Sequence, residues 1–283
     1  MKCFALGTQR IEIGLRQVDK FELIDAMKVQ LAQQWIDRIK AGGIHFGISL
    51  AVAAVAAVLV FVCWYPYPYR EISGGRELFL IVVTVDVILG PLITITVFNR
   101  TKPWAVLWRD LAVVGVIQTC ALAYGLWTVF VARPVHLVFE GDRFSVVHAV
   151  ELVPELAAKA PPTVVALPLL GPTLLSLRPY RDGNEKADVT LAALSGFPVA
   201  SHTELWQPYA MAREQVLKAA KPVADLKLRF KPQVTAIDAI VASTGRQPES
   251  LSYLPMSGRK SFWTVLIDAQ TAEVLAFMPL DSF

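Results

Sequence analysis

The chain has 283 residues, of which 54% are apolar and only 18% are Asp, Glu, Lys or Arg, and its mean hydropathy is +0.47. An ordinary soluble domain carries roughly 25% charged residues, so this shortage belongs to a membrane protein with a soluble part and excludes disorder and collagen-like repeats. A net charge of only +3 without a run of five like charges excludes a nucleic-acid-binding arm, and three scattered cysteines, Cys3, Cys63 and Cys120, exclude a disulfide framework or a metal knuckle.

Taken in chain order, residues 1–43 form an N-terminal segment in which Phe21 to Ile39 has the spacing of an amphipathic helix, with Ile24, Leu31, Trp35 and Ile39 near one face and Lys28 interrupting it. Met27 offers an alternative start. Residues 44–131 then hold three apolar runs, 44–64, 78–98 and 111–131, each of 21 residues and long enough to cross about 30 Å of hydrocarbon as a helix. The first run has His45 and Ser49 as its polar interruptions, and 43 residues precede it, which is too many for a cleaved signal peptide.

Basic residues near the spans set the expected orientation: Lys28, Arg38, Lys40, Arg100, Lys102 and Arg109 on one side, Arg70, Arg76, Arg133 and Arg143 on the other. Six against four predicts a cytoplasmic N-terminus and a periplasmic C-terminal domain. Between the first two spans, Tyr65-Pro66-Tyr67-Pro68-Tyr69 stops the helix and reads as an aromatic belt at the headgroups.

From residue 132 to 283 the composition becomes that of a soluble domain, with mixed α+β patterning. Val135–Phe139 and Arg143–Val147 predict a hairpin turned by Glu140-Gly141-Asp142, and Phe262–Ile267 with Glu273–Met278 a closing one. Helices are expected over Asn184–Leu194, over Glu204–Ala220 with Ser201 or Thr203 as its cap, and over Pro232–Ser243 ended by Gly245. Pro161 to Leu177 is apolar enough for a fourth span, but its four prolines argue for extended chain through the domain core.

Among candidate site residues, Asp86 stands out as an ionisable group inside a span, eight residues or about 12 Å from the helix end. Such a carboxylate costs about 2.5 to 3.5 kcal/mol on insertion scales, so it is expected to face protein. Gly90 and Thr94 follow at i+4 and i+8 and make one small, polar stripe, with Gln118 and Thr119 on the third span as expected hydrogen-bond partners. The stripe either ties the second and third spans together or receives a partner helix. An aspartyl dyad with Asp110 fails, because Asp110 lies about 18 Å of helix away in depth. Motifs for nucleophilic, metal or nucleotide chemistry are missing, and His45, His136, His148 and His202 lack metal-ligand spacing, so no catalytic, cofactor-binding or metal residues are assigned.

The ordered string Trp64-Tyr65-Pro66, Pro68, Gly74-Gly75, Val85-Asp86, Leu89-Gly90-Pro91-Leu92 and Val97-Phe98 resembles the type IV pilin accessory proteins of the TfpX/TfpZ kind. The likeness continues in Arg109-Asp110-Leu111, Gln118, Ala121-Leu122, Tyr124-Gly125, Arg133-Pro134 and Gly141-Asp142-Arg143-Phe144, and returns in Tyr253-Leu254-Pro255. The resemblance implies a non-enzymatic, chaperone-like protein of the bacterial inner membrane that helps a major type IV pilin accumulate or assemble. The buried acid on a small-residue face then makes Asp86, Gly90 and Thr94, with Gln118, the expected dock for the pilin's apolar helix. A membrane-anchored sensor would share this topology but needs a cytoplasmic output domain, and a pilin-modifying enzyme needs a polar active site; neither is recognisable in the sequence.

Overall fold

The computed structural model describes the backbone of residues 3–283 and side chains from residue 23 onward. Phe21, at the start of the expected amphipathic helix, lies outside the described side chains. Among the described residues three helices are long and apolar enough to cross a membrane, Leu23–Trp64, Gly75–Val97 and Trp104–Val131, and a mixed α/β domain follows them. The chain divides into two compact units, Met1–Ala54 with Val82–Ala123, and Val55–Ile81 with Tyr124–Phe283.

Helix α1 (Cys3–Val58) ends in a π-helical turn, Leu59–Trp64, and a single-turn helix α2 (Tyr69–Ile72) follows the prolines. The second span is three pieces: α3 (Gly75–Thr84), a π-helical stretch Val85–Leu89, and α4 (Gly90–Val97) with Pro91 in its first turn. The sequence predicts an unbroken helix here. The interruption has a local cause, since a proline ring at position 91 collides with the carbonyl four residues earlier, and widening the preceding turn relieves it. Helix α5 (Trp104–Val131) is continuous.

The C-terminal domain is built on one mixed sheet with strand order β4-β3-β1-β2-β6-β7-β8, where β5 also pairs with β6. Its elements in chain order are β1 (Pro134–Phe139), β2 (Phe144–His148), α6 (Pro154–Ala157), β3 (Thr173–Leu177), α7 (Gly183–Leu194), β4 (Trp206–Pro208), α8 (Arg213–Ala219), β5 (Lys221–Pro222), α9 (Val223–Arg229), α10 (Val234–Ser243), β6 (Leu251–Ser257), β7 (Phe262–Asp268) and β8 (Val274–Met278). The two hairpins read from the sequence are present, and Gly141 takes the positive φ of +99° that the first turn needs. The parallel pairings β1 with β3 and β2 with β6 join segments far apart in the chain.

Both faces of the sheet are covered, which explains why β7 is buried at all but its first residue. Alternate residues go to opposite sides: Leu254, Met256, Val265 and Ile267 pack with Phe139, Phe144 and Val216, whereas Leu251, Tyr253 and Leu266 pack under Val223, Leu226, Ile237 and Val241 of α9 and α10. A third cluster gathers Val135, Val138, Val147, Leu175 and Trp206.

Three expectations need correction. The helix expected over Glu204–Ala220 is only its last part, α8; Trp206 and Gln207 are extended and pair with β3, because Pro208 disfavours helix in the residue before it and withholds an N–H. The expected caps are used elsewhere, Ser201 donating to Glu151 and Thr203 to the Leu156 carbonyl. The Pro161–Leu177 segment does not run through the core: only β3 joins the sheet, and Val165, Leu167, Leu169 and Leu170 are 40–70% exposed. The tyrosine belt also dissolves, since Tyr65 and Tyr69 are buried and Tyr67 alone is exposed. Tyr69 and Ile72 belong to the first core cluster, the Ile72 carbonyl accepts from Lys260 N at 2.9 Å, and Lys260 Nζ pairs with Glu77. The loop between the first two spans is thus a structural part of the domain that follows the third.

Candidate functional site

The unit formed by Met1–Ala54 and Val82–Ala123 brings the polar residues of three helices together. Asp86 lies in the π-helical stretch of the second span, and Gln118 of α5 faces it, with Nε2 3.3 Å from both Oδ1 and the main-chain carbonyl of Asp86. Local geometry explains the double contact. In a π register a carbonyl is met by the N–H five residues on, and for Asp86 that residue is Pro91, which has none. Gln118 supplies the donor that the main chain lacks.

Gly90 makes this approach possible. It is buried, and a Cβ built on it would sit 1.9 Å from Gln118 Nε2. At position 94 the stripe turns to a different helix: Thr94, 3% exposed, has its Oγ1 2.5 Å from His45 Nδ1 of α1. Gly42, three residues before His45, likewise lets α1 approach, because a Cβ there would lie 2.4 Å from Ile95 Cγ1. Ser49, one turn beyond His45, is buried.

A cavity of about 180 Å³ opens on this seam and is lined by His45, Ser49, Asp86, Gln118 and Thr119 among others. Asp86 is half-buried there, and among the described residues its Oδ2 receives no hydrogen bond. A carboxylate has about four lone-pair sites, so the seam leaves much of its accepting capacity unused.

Every residue assigned to the dock from the sequence therefore falls in one place, although Thr94 is bound to α1 rather than to α5. Thr119, expected beside Asp86, instead donates to the Gly115 carbonyl of its own helix at 2.8 Å and only lines the cavity. Sequence reasoning missed His45 and Ser49 as members of the site. The signal was present, since they are the polar residues of the first span and stand at i and i+4, on one helix face. Asp110 is engaged apart from the seam, in an ion pair with Lys102 at 2.7 Å that caps the turn between the second and third spans.

The C-terminal domain has a larger groove of about 530 Å³, lined by Glu140, Arg178, Tyr180, Gln215 and Lys218 among others. Two of its charged groups are internally bonded: Arg178 makes two hydrogen bonds to Glu185, at 2.6 and 2.9 Å, and Glu140, whose carboxyl is pushed up by burial, accepts from Ser145 at 2.7 Å. Among the described residues no three His, Cys, Asp or Glu side chains come together as a metal site.

Comparison with known proteins adds a lineage to this geometry. Residues 33–74 match the family model described as fimbrial assembly protein FimB. The fimbrial assembly protein of serogroup I from Dichelobacter nodosus is 34% identical over 254 residues, covering 89% of this chain and 98% of that protein. The serogroup E1 protein of the same organism is 32% identical over the same shares, and the protein of serogroups C1 and C2 is 40% identical over 114 residues, 40% of this chain and 87% of its own length. No solved structure matches. With whole-length relatives at this identity, the chain belongs to the fimbrial assembly protein family.

Proposed function

We propose that the protein is a non-catalytic accessory factor of the bacterial inner membrane that binds the major type IV pilin and supports its accumulation or its assembly into pili. Membership of the fimbrial assembly protein family supports the role in pilus assembly. The observation that carries the binding step is Asp86, an acid within a membrane-spanning helix, hydrogen-bonded through one oxygen and lining a cavity with His45 and Ser49. Lipid chains offer no hydrogen bonds, so an incompletely satisfied carboxyl group gains when a polar helix comes alongside. A pilin subunit waits in the membrane by an apolar N-terminal helix that carries a carboxylate near a charged amine, and the amine is a donor that Asp86 is equipped to receive.

In this reading residues 1–43 are cytoplasmic, residues 44–131 cross the bilayer and residues 132–283 meet the pilin head in the periplasm; the bias of basic residues supports that orientation. No cofactor takes part. Asp86→Ala and Asp86→Asn should each lower both the co-purification of pilin from membranes and the piliation of the cell surface, with the protein itself present at parental level. Pilin capture and piliation that stay at parental values in both variants would sink the dock. Deleting the gene tests the wider role: normal pilin abundance in the inner membrane together with normal surface pili would remove it.

A further inference from the structure

The apolar stretch before β3 has a placement that its sequence alone does not explain. Val165, Leu167, Leu169 and Leu170 are 70%, 40%, 67% and 68% exposed, four large apolar side chains within six residues. Isolated exposed apolar residues, such as Leu228 on α9, are ordinary; a cluster of this density marks an interaction surface.

Two hydrogen bonds and one buried side chain fix where this loop sits. Gly171 N donates to the carbonyl of Cys63 at 2.7 Å, and Cys63 lies in the π-helical last turn of the first span. Arg133, two residues past the end of the third span, is 4% exposed; its guanidinium stacks 3.7 Å over Phe130 and its Nη2 donates to the Pro168 carbonyl at 3.0 Å. At the loop's base His136 is buried, with Nε2 2.9 Å from the Ala166 carbonyl and Nδ1 2.6 Å from Thr173 Oγ1. Leu169 and Leu170 are within two residues of Gly171, and two residues of chain reach no further than about 7 Å. The exposed leucines therefore stand at the level of the ends of two membrane spans.

We infer that residues 165–170 form a membrane-seated loop whose Val165, Leu167, Leu169 and Leu170 side chains enter the acyl chains of the bilayer that the helices cross. The occupant is lipid because the loop is hydrogen-bonded to the last turn of the first span and to Arg133 just past the third, next to Val62 and Trp127, which are exposed apolar residues of those two membrane-crossing helices. Irregular backbone is normally barred from hydrocarbon by its unsatisfied polar groups. Within residues 165–170 Pro168 has no N–H and the carbonyls of Ala166 and Pro168 are taken by His136 and Arg133, while the other main-chain groups have no partner among the described residues and must stay in contact with water. The prolines that forbid a fourth span are suited to a loop that rests its side chains in the membrane and keeps its backbone at the interface.

The test uses the full-length protein in phosphatidylcholine–phosphatidylglycerol vesicles, with Cys3, Cys63 and Cys120 replaced by Ala and a nitroxide placed by Val165→Cys, Leu169→Cys or, as a solvent-facing control, Leu228→Cys. Collisions of each label with oxygen, which concentrates in lipid, and with a water-soluble nickel chelate are measured by spin resonance. Labels at 165 and 169 should collide mainly with oxygen and the label at 228 mainly with the chelate. Chelate accessibility at 165 and 169 equal to that at 228 would overturn the inference, and so would protection from both reagents, which means protein covers the loop. Circular dichroism of each variant establishes that the fold is parental, and two loop positions prevent one substitution from deciding the outcome.

Discussion

Ile72 and Gly258 meet so closely that a Cβ on Gly258 would lie 2.0 Å from Ile72 Cγ1 and 3.0 Å from the Ile72 carbonyl oxygen. One residue comes from the loop between two membrane spans, the other from the turn between two strands of the soluble sheet. Gly258→Val should therefore destabilise the C-terminal domain by forcing backbone apart, and Ile72→Ala by emptying a fully buried site, at a cost of about 2 to 5 kcal/mol. Denaturant titration followed by tryptophan fluorescence reads this, since Trp206 and Trp263 are both buried in the domain.

Gln118→Leu removes both hydrogen bonds to Asp86 while keeping the helix apolar. Interhelical hydrogen bonds in membranes are worth about 0.5 to 2 kcal/mol, so unfolding in a mixed-micelle titration should come earlier by that amount. Thr119→Val is the matched control, and it should be near neutral because the Thr119 hydroxyl serves its own helix.

Gly90→Ala should cost stability by expelling the Gln118 amide, not by any propensity effect, for alanine is the better helix former. A double-mutant cycle separates the two explanations: the penalty of Gly90→Ala should shrink in the Gln118→Leu background. Gly115→Ala, where a Cβ meets nothing within 4 Å, should have no comparable effect. An unchanged penalty in both backgrounds would contradict the packing account.

His136 gives the C-terminal domain a pH dependence. Burial pulls its pKa down from 6.5 to about 4, and its two partners suit the neutral ring, which donates from Nε2 to the Ala166 carbonyl and accepts at Nδ1 from Thr173. The unfolded chain thus binds the extra proton between pH 6.5 and 4. Stability is complete above the upper value and falls as pH drops through the window, by up to about 3 kcal/mol. Comparing unfolding midpoints of the parent and His136→Gln at pH 7.5 and 4.5 checks this: the variant should lack that component of acid sensitivity.

Much of this was legible in the residues themselves. The three spans followed from apolar length, both hairpins from alternation and turn chemistry, and the gathering of Asp86, Gly90 and Gln118 from i+4 spacing and the cost of an acid in lipid. What escaped was set by contacts distant in sequence. Nothing local distinguishes a tyrosine bound for the headgroups from Tyr69, which meets Phe277 of β8 in an edge-to-face contact. The helical spacing after Glu204 was genuine, but pairing with β3 and the chemistry of Pro208 overrode it. His45 read as isolated because its partner, Thr94, is on another helix.

Because Tyr69 and Ile72 complete a core whose other walls come far later in the chain, the domain is finished only when the segment between the first two apolar helices packs against it. A secreted fragment beginning at β1 would be born with a hole in it. The soluble part therefore depends on a segment that the chain places between two apolar helices, and separating it from that segment should cost it stability.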